Sequence, residues 1–162
     1  MIDKILLDLS QQIGDESIAN KVRISTAESC TGGLVASCLT SIEGASNYFN
    51  CGFVSYSDES KIQMLGVDYA IINKFGAISA ETAIAMARGT LKKSGSELVV
   101  AITGIAGPSG GSILKPIGTV YFGIGSILKI DSYLYNFTGA RQTIRYQACT
   151  KALELLLNAL RA

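Results

Sequence analysis

The chain has 162 residues, 48% hydrophobic and 17% charged, with a formal net charge of +1 and no histidine. That length suits one domain able to bury about 70% of its unfolded surface without disulfides or metal. The charge balance, without a Lys/Arg run, argues against nucleic acid as the main partner. No apolar run approaches the roughly 20 residues of a membrane span.

Asp3, Lys4 and Asp8 interrupt the first apolar residues, where a signal peptide would carry its h-region, so the expected location is the cytoplasm. The absence of histidine excludes Ser-His-Asp and Cys-His mechanisms and removes the commonest zinc ligand. Any hydrolytic chemistry must use another base. Lysine is the main substitute once burial or nearby positive charge brings its pKa toward about 7–8. The four cysteines, Cys30, Cys38, Cys51 and Cys149, form no CxxC pair and read as small core residues in a reducing compartment. Cys30 stands apart because it neighbours Ser29 at a helix start, where a thiol pKa can fall.

In chain order, Ile2, Ile5, Leu6, Leu9 and Ile13 recur at helical spacing, predicting an amphipathic helix over 1–13. Residues 14–21 are polar and turn-like, and residues 22–26 favour a strand. The stretch Ala27-Glu-Ser-Cys-Thr-Gly-Gly33 then connects to a helix ending near Thr40. The first N–H groups of a helix lack internal partners, so Thr31, Gly32 and Gly33 are candidates to present amides to a phosphate or an oxyanion. Ser29 is the potential nucleophile; an ordinary capped strand-to-helix turn is the alternative. Residues 51–56 alternate like a half-buried strand. Ser57 caps a short helix to Leu65, with Ser60 near the capping-box position. From spacing alone, Lys61 in that helix points to water.

Residues 66–76 form a loop with a short helical piece, Ser79 caps a helix reaching Lys93, and residues 98–102 are an apolar run expected of a buried strand. The glycine-rich segment Thr103-Gly-Ile-Ala-Gly-Pro-Ser-Gly-Gly111 opens at that strand's end, where open α/β sheets place ligands. It matches neither a Walker loop nor GxGxxG, and a long surface turn is the alternative. Residues 118–124 and 129–137 read as a hairpin, and a long helix follows Thr138. Arg141 and Arg145 lie one turn apart near its start, an unfavourable place for cations unless an anion docks there; salt bridges are the alternative.

Several of these segments together resemble the CinA C-terminal domain family. They are Ala27-Glu-Ser-Cys-Thr-Gly-Gly33, Gly52-Phe-Val-Ser-Tyr-Ser57 with Lys61 and Leu65-Gly-Val67, Gly76-Ala-Ile-Ser79 and Thr103-Gly-Ile-Ala-Gly-Pro108. The resemblance covers nearly the whole chain. It implies a single-domain three-layer α/β/α sandwich with a mixed sheet, cytoplasmic and forming a homodimer or higher homo-oligomer. The characterised members are nicotinamide-nucleotide amidohydrolases, which convert nicotinamide mononucleotide and water to nicotinate mononucleotide and ammonia. Longer family members carry an N-terminal domain for which 162 residues leave no room.

Carried over position by position, the resemblance implies Ser29 as nucleophile and Lys61 as its base, with Tyr56 and Ser46 as further active-site residues. It adds Thr103 and Arg141. Glu28, Thr31, Gly32, Gly33, Thr103, Gly104, Gly107, Arg141 and Arg145 form the expected substrate-binding set, with no metal, cofactor, nucleic acid or membrane partner. One departure stands out: relatives commonly read Gly-Asp-Arg where this chain has Gly139-Ala140-Arg141. A non-catalytic pyridine-nucleotide-binding domain and a hydrolase of another small amide are the alternative functions.

Overall fold

A computed structural model describes residues 2–162. Five strands form one mixed sheet in the order β2-β1-β3-β4-β5. They are β1 (Ile24–Glu28), β2 (Phe49–Val54), β3 (Leu98–Gly104), β4 (Thr119–Gly125) and β5 (Ile130–Asn136). Strands β1, β2 and β3 are parallel, whereas β4 runs antiparallel to both β3 and β5. Consequently β1, β2, β3 and β5 all point the same way and end at one edge of the sheet.

Strand β3 is central and buried on both faces, which its unbroken apolar run requires. Leu98, Val100 and Ile102 face one core, with Val99 and Ala101 in the other, following the period-two alternation of a strand. The first core is covered by α1 (Lys4–Asn20), α2 (Leu34–Thr40) and α6 (Arg141–Arg161), the second by α3 (Asp58–Leu65), α4 (Tyr69–Phe75) and α5 (Ala80–Ser94). This is the expected three-layer α/β/α arrangement. No helix is long and apolar enough to cross a membrane among the described residues.

The local signals locate several ends accurately. Ser57 accepts from the Ser60 N–H at 3.0 Å while Ser60 Oγ accepts from the Ser57 N–H at 3.0 Å, completing a capping box. Ser79 caps α5 through the Thr82 N–H. Elsewhere the fold differs from expectation. The polar stretch 14–21 continues α1 to Asn20 instead of turning at Gly14. Gly14 is there for clearance: a Cβ would lie 2.9 Å from Tyr48 Cε1. Tyr48 is buried and donates from its hydroxyl to the Leu39 carbonyl at 2.5 Å, so its ring cannot retreat. Strand β1 starts two residues later than expected, because α1 runs on to Asn20 and Ile24 is the residue that pairs with Leu98.

Gly14→Ala tests that account. In an exposed helix the change stabilises by roughly 0.5–1 kcal/mol. Here the fit against Tyr48 predicts a destabilisation of about 1–3 kcal/mol in urea unfolding.

Candidate active site

The same-direction strands bring their following segments to one edge. Ser29 follows β1, Tyr56 and α3 follow β2, the loop beginning at Thr103 closes β3, and the start of α6 follows β5. They enclose a cavity of about 270 Å³, at the small end for ligand pockets. Ser29, Tyr56, Lys61, Thr103, Gly104, Gly107 and Arg141 all border it.

At its floor Lys61 is buried, with 1% of its surface exposed. Its Nζ lies 3.2 Å from Ser29 Oγ, 3.1 Å from the Ser55 carbonyl and 3.3 Å from the Tyr56 carbonyl. Burial pushes the Lys61 pKa below its ordinary 10.5, and Asp58 opposes the shift only in part. Nζ donates to all three oxygens, and Ser29 Oγ donates to the Tyr56 carbonyl at 3.4 Å; loss of one proton from the amine would leave two N–H groups for the carbonyls and free a lone pair toward the Ser29 hydroxyl. Cys30 is buried and its thiol is pushed up to about 12, chiefly by desolvation. The thiolate needed for sulfur chemistry is therefore disfavoured.

Tyr56 links the walls of the cavity. Its hydroxyl accepts from Arg141 Nη2 at 2.8 Å, and Arg141 Nη1 donates to the Gly107 carbonyl at 2.6 Å. Arg141 is exposed and keeps further donors for an anion. Thr103 Oγ1 donates to the Ala77 carbonyl at 2.7 Å, tying the glycine-rich loop to the entrance of α5. Ala140 is the N-cap of α6 without a side-chain bond. An Asp at this position would be a strong capping residue, so with Ala140 the helix start has no side-chain cap.

Several expected contacts are not brought to the cavity. Glu28 is 1% exposed and accepts from the N–H groups of Gly33, Val35 and Ala36 at 3.0, 3.1 and 2.8 Å. Its carboxylate caps α2 instead of facing a ligand, and so occupies the Gly33 amide. The Gly32 N–H donates to the Ser29 carbonyl at 3.0 Å, leaving it unavailable as well. Gly33, at φ 94°, supplies the left-handed residue that turns the chain into α2. Thr31 is buried outside the cavity lining. Arg145 donates to the Cys30 and Thr31 carbonyls at 3.1 and 2.9 Å, beneath the turn. Ser46 is exposed in a 3₁₀ turn before β2, at the opposite edge of the sheet, because β1 and β2 pair in parallel from Ile24 and Phe49 onward.

Asp58 is a cavity residue that sequence reasoning missed. Its place three residues before Lys61, on the same helix face, was the available signal. Among the described residues, no three His, Cys, Asp or Glu side chains are grouped to hold a metal ion.

Fold and cavity thus define a three-layer α/β/α protein with a buried lysine against a serine at the carboxyl edge of its sheet. The chain belongs to the CinA C-terminal domain family, whose model matches residues 6–160. It is 45% identical over 148 residues to the "CinA-like protein" of Endomicrobium trichonymphae, which covers 91% of this chain but only 35% of that longer relative. It is 42% identical over 161 residues to the "Nicotinamide-nucleotide amidohydrolase PncC" of Escherichia coli strain K12, covering 96% of this chain and 95% of the relative. The crystal structure of competence/damage inducible protein CihA from Agrobacterium tumefaciens matches with a TM-score of 0.95 at 38% identity, covering 100% of this chain and 99% of that one.

The buried amine makes stability depend on pH. Between the lowered folded pKa of Lys61 and 10.5, the unfolded chain binds the proton that the folded chain does not, so wild-type stability rises with pH across that window. The stability of Lys61→Met relative to wild type is therefore highest below the window and falls as pH approaches 10.5. Urea unfolding of both proteins at a series of pH values checks the sign.

Proposed function

We propose that the chain is a single amidohydrolase domain over residues 1–162 that hydrolyses the carboxamide of nicotinamide mononucleotide, using Ser29 as nucleophile and Lys61 as base. The observation that carries this reading is the 3.2 Å approach of the buried Lys61 Nζ to Ser29 Oγ, with two backbone carbonyls holding the amine. The substrate follows from the family relatives named for that reaction.

Neutral Lys61 takes the Ser29 proton as Oγ bonds to the carboxamide carbon, and the carbonyl electrons move onto oxygen. The Cys30 N–H is the donor nearest in the chain for that oxyanion: Cys30 borders the cavity and its amide makes no backbone–backbone hydrogen bond among the described residues, with only its own thiol as a weak partner. Collapse of the intermediate breaks the C–N bond, and the Lys61 ammonium supplies the proton that lets ammonia leave. Lys61 then takes a proton from water as its oxygen attacks the ester, and Ser29 recovers its proton on release of the acid. Tyr56 holds this arrangement through its carbonyl, which accepts from Lys61, and its hydroxyl, which orients Arg141.

The substrate phosphate docks at the cavity mouth on Arg141 and the uncapped start of α6, with the loop after Thr103 as the facing wall. A cytoplasmic homo-oligomer completes the reading. Ile113 and Leu114, 99% and 92% exposed in the loop leading to β4, are the apolar surface that supports self-association.

Purified protein is expected to release ammonia from nicotinamide mononucleotide. Ser29→Ala and Lys61→Ala each lower kcat by about 10³-fold or more, whereas Arg141→Ala acts mainly on KM, raising it about ten-fold. Coupled detection of ammonia checks all three. Nucleotide binding without ammonia release would assign the chain a binding role, and near-normal turnover in Lys61→Ala would remove that residue as base.

A further inference from the structure

The turn that carries Ser29 is held on both sides by charged residues that never reach the cavity. Glu28 gathers the amides of Gly33, Val35 and Ala36 on one side. On the other, Arg145 Nε donates to the Cys30 carbonyl at 3.1 Å and Nη2 to the Thr31 carbonyl at 2.9 Å, while Nη1 is anchored on Gln142 Oε1 at 3.0 Å. The Ser29 N–H donates to the Ile102 carbonyl, and the Ser29 carbonyl accepts from Gly32.

A trans peptide unit carries its C=O and N–H on opposite sides of one rigid plane. Fixing the Ser29 carbonyl therefore aims the Cys30 N–H, and fixing the Cys30 carbonyl stops the next plane from turning. With both planes around Cys30 pinned, its amide direction is set before any ligand arrives. Within the turn, the Cys30 N–H alone belongs to a cavity-lining residue and makes no backbone–backbone hydrogen bond among the described residues, with its own thiol as a weak partner.

We propose that Arg145 is a positioning residue for the oxyanion: by clamping the Cys30 and Thr31 carbonyls from beneath, it fixes the Cys30 N–H as the donor beside Ser29. The proposal rests on Ser29 being the nucleophile of the reading above. A planar guanidinium spans two successive carbonyls with parallel N–H groups, which a lysine ammonium cannot match. The partners of Arg145 are all neutral oxygens, and the buried Glu28 carboxylate across the turn opposes its charge at Cys30, so Arg145 acts by holding the backbone and not by its field. Arg145 thus does different work from Arg141 one helical turn away, although both are arginines at the start of α6.

The test uses a small alkyl fluorophosphonate, which reports on the turn without requiring the natural substrate. In that reaction Ser29 Oγ bonds to phosphorus, fluoride leaves, Lys61 takes the serine proton and the phosphoryl oxygen uses the same donor. Wild type, Arg145→Met and Arg145→Lys are compared for labelling rate at Ser29, for kcat and KM with nicotinamide mononucleotide, and for Tm. Arg145→Met is expected to slow labelling and lower kcat by about 10²-fold each, with KM changed by less than about two-fold. Arg145→Lys recovers only part of the loss. If Arg145→Met does not fold, the same comparison is read from Arg145→Lys, which is then expected to lose at least about ten-fold in labelling.

A folded Arg145 variant that labels at the wild-type rate overturns the proposal and leaves the amidohydrolase reading intact. A variant with raised KM but unchanged kcat also overturns it, by making Arg145 a substrate contact. Wild type that is not labelled at Ser29 overturns the nucleophile and the proposal together. Labelling without ammonia release removes the substrate assignment, and the labelling rates alone then decide the role of Arg145.

Discussion

The structure depends on one desolvated amine. Lys61 lies on a helix whose first turn is acidic, yet it is turned inward so that Nζ meets only Ser29 Oγ and the carbonyls of Ser55 and Tyr56. Removing a lysine from water disfavours its charge, and no carboxylate is bonded to this one to restore it. The chain accepts that cost at one position, and so holds an amine against a serine hydroxyl in a sequence without histidine.

The rest of the fold delivers partners to that amine. Four strands running in one direction end at a single edge, so segments distant in sequence meet there: the turn after β1, the β2-to-α3 connection, the loop after β3 and the start of α6. Charged residues divide by what they face. Lys61, Asp58 and Arg141 border the cavity, whereas Glu28 and Arg145 hold backbone amides and carbonyls just behind it. This second group ties down the turn that carries Ser29.

Much of this was legible in the sequence where local chemistry decides the outcome. The capping box at Ser57 and Ser60, the doubly buried β3 and the two glycine-rich turns at strand ends all follow from short-range rules. Lys61 carried a weaker signal: Leu65, one turn further on, marks the buried face that Lys61 shares, but an eight-residue helix gives little periodicity to read. Glu28 and Arg145 were not legible as supports. A carboxylate or guanidinium in a motif looks the same in sequence whether it faces a ligand or the backbone, and only the folded turn distinguishes them. Ser46 illustrates the same limit at longer range, because the parallel pairing of β1 with β2 sends it to the far edge. In Gly14, clearance for the Tyr48 ring has the same sequence signature as a turn.

The most direct test of the central claim is a heteronuclear NMR titration of the Lys61 side-chain nitrogen in the wild-type protein, assigned by comparison with Lys61→Met. The account predicts that Nζ loses its third proton below the ordinary 10.5 and that the resonance shifts when Ser29 is replaced by alanine. Titration at or above 10.5, unaffected by Ser29→Ala, would show an ordinary ammonium and contradict the Ser29–Lys61 mechanism.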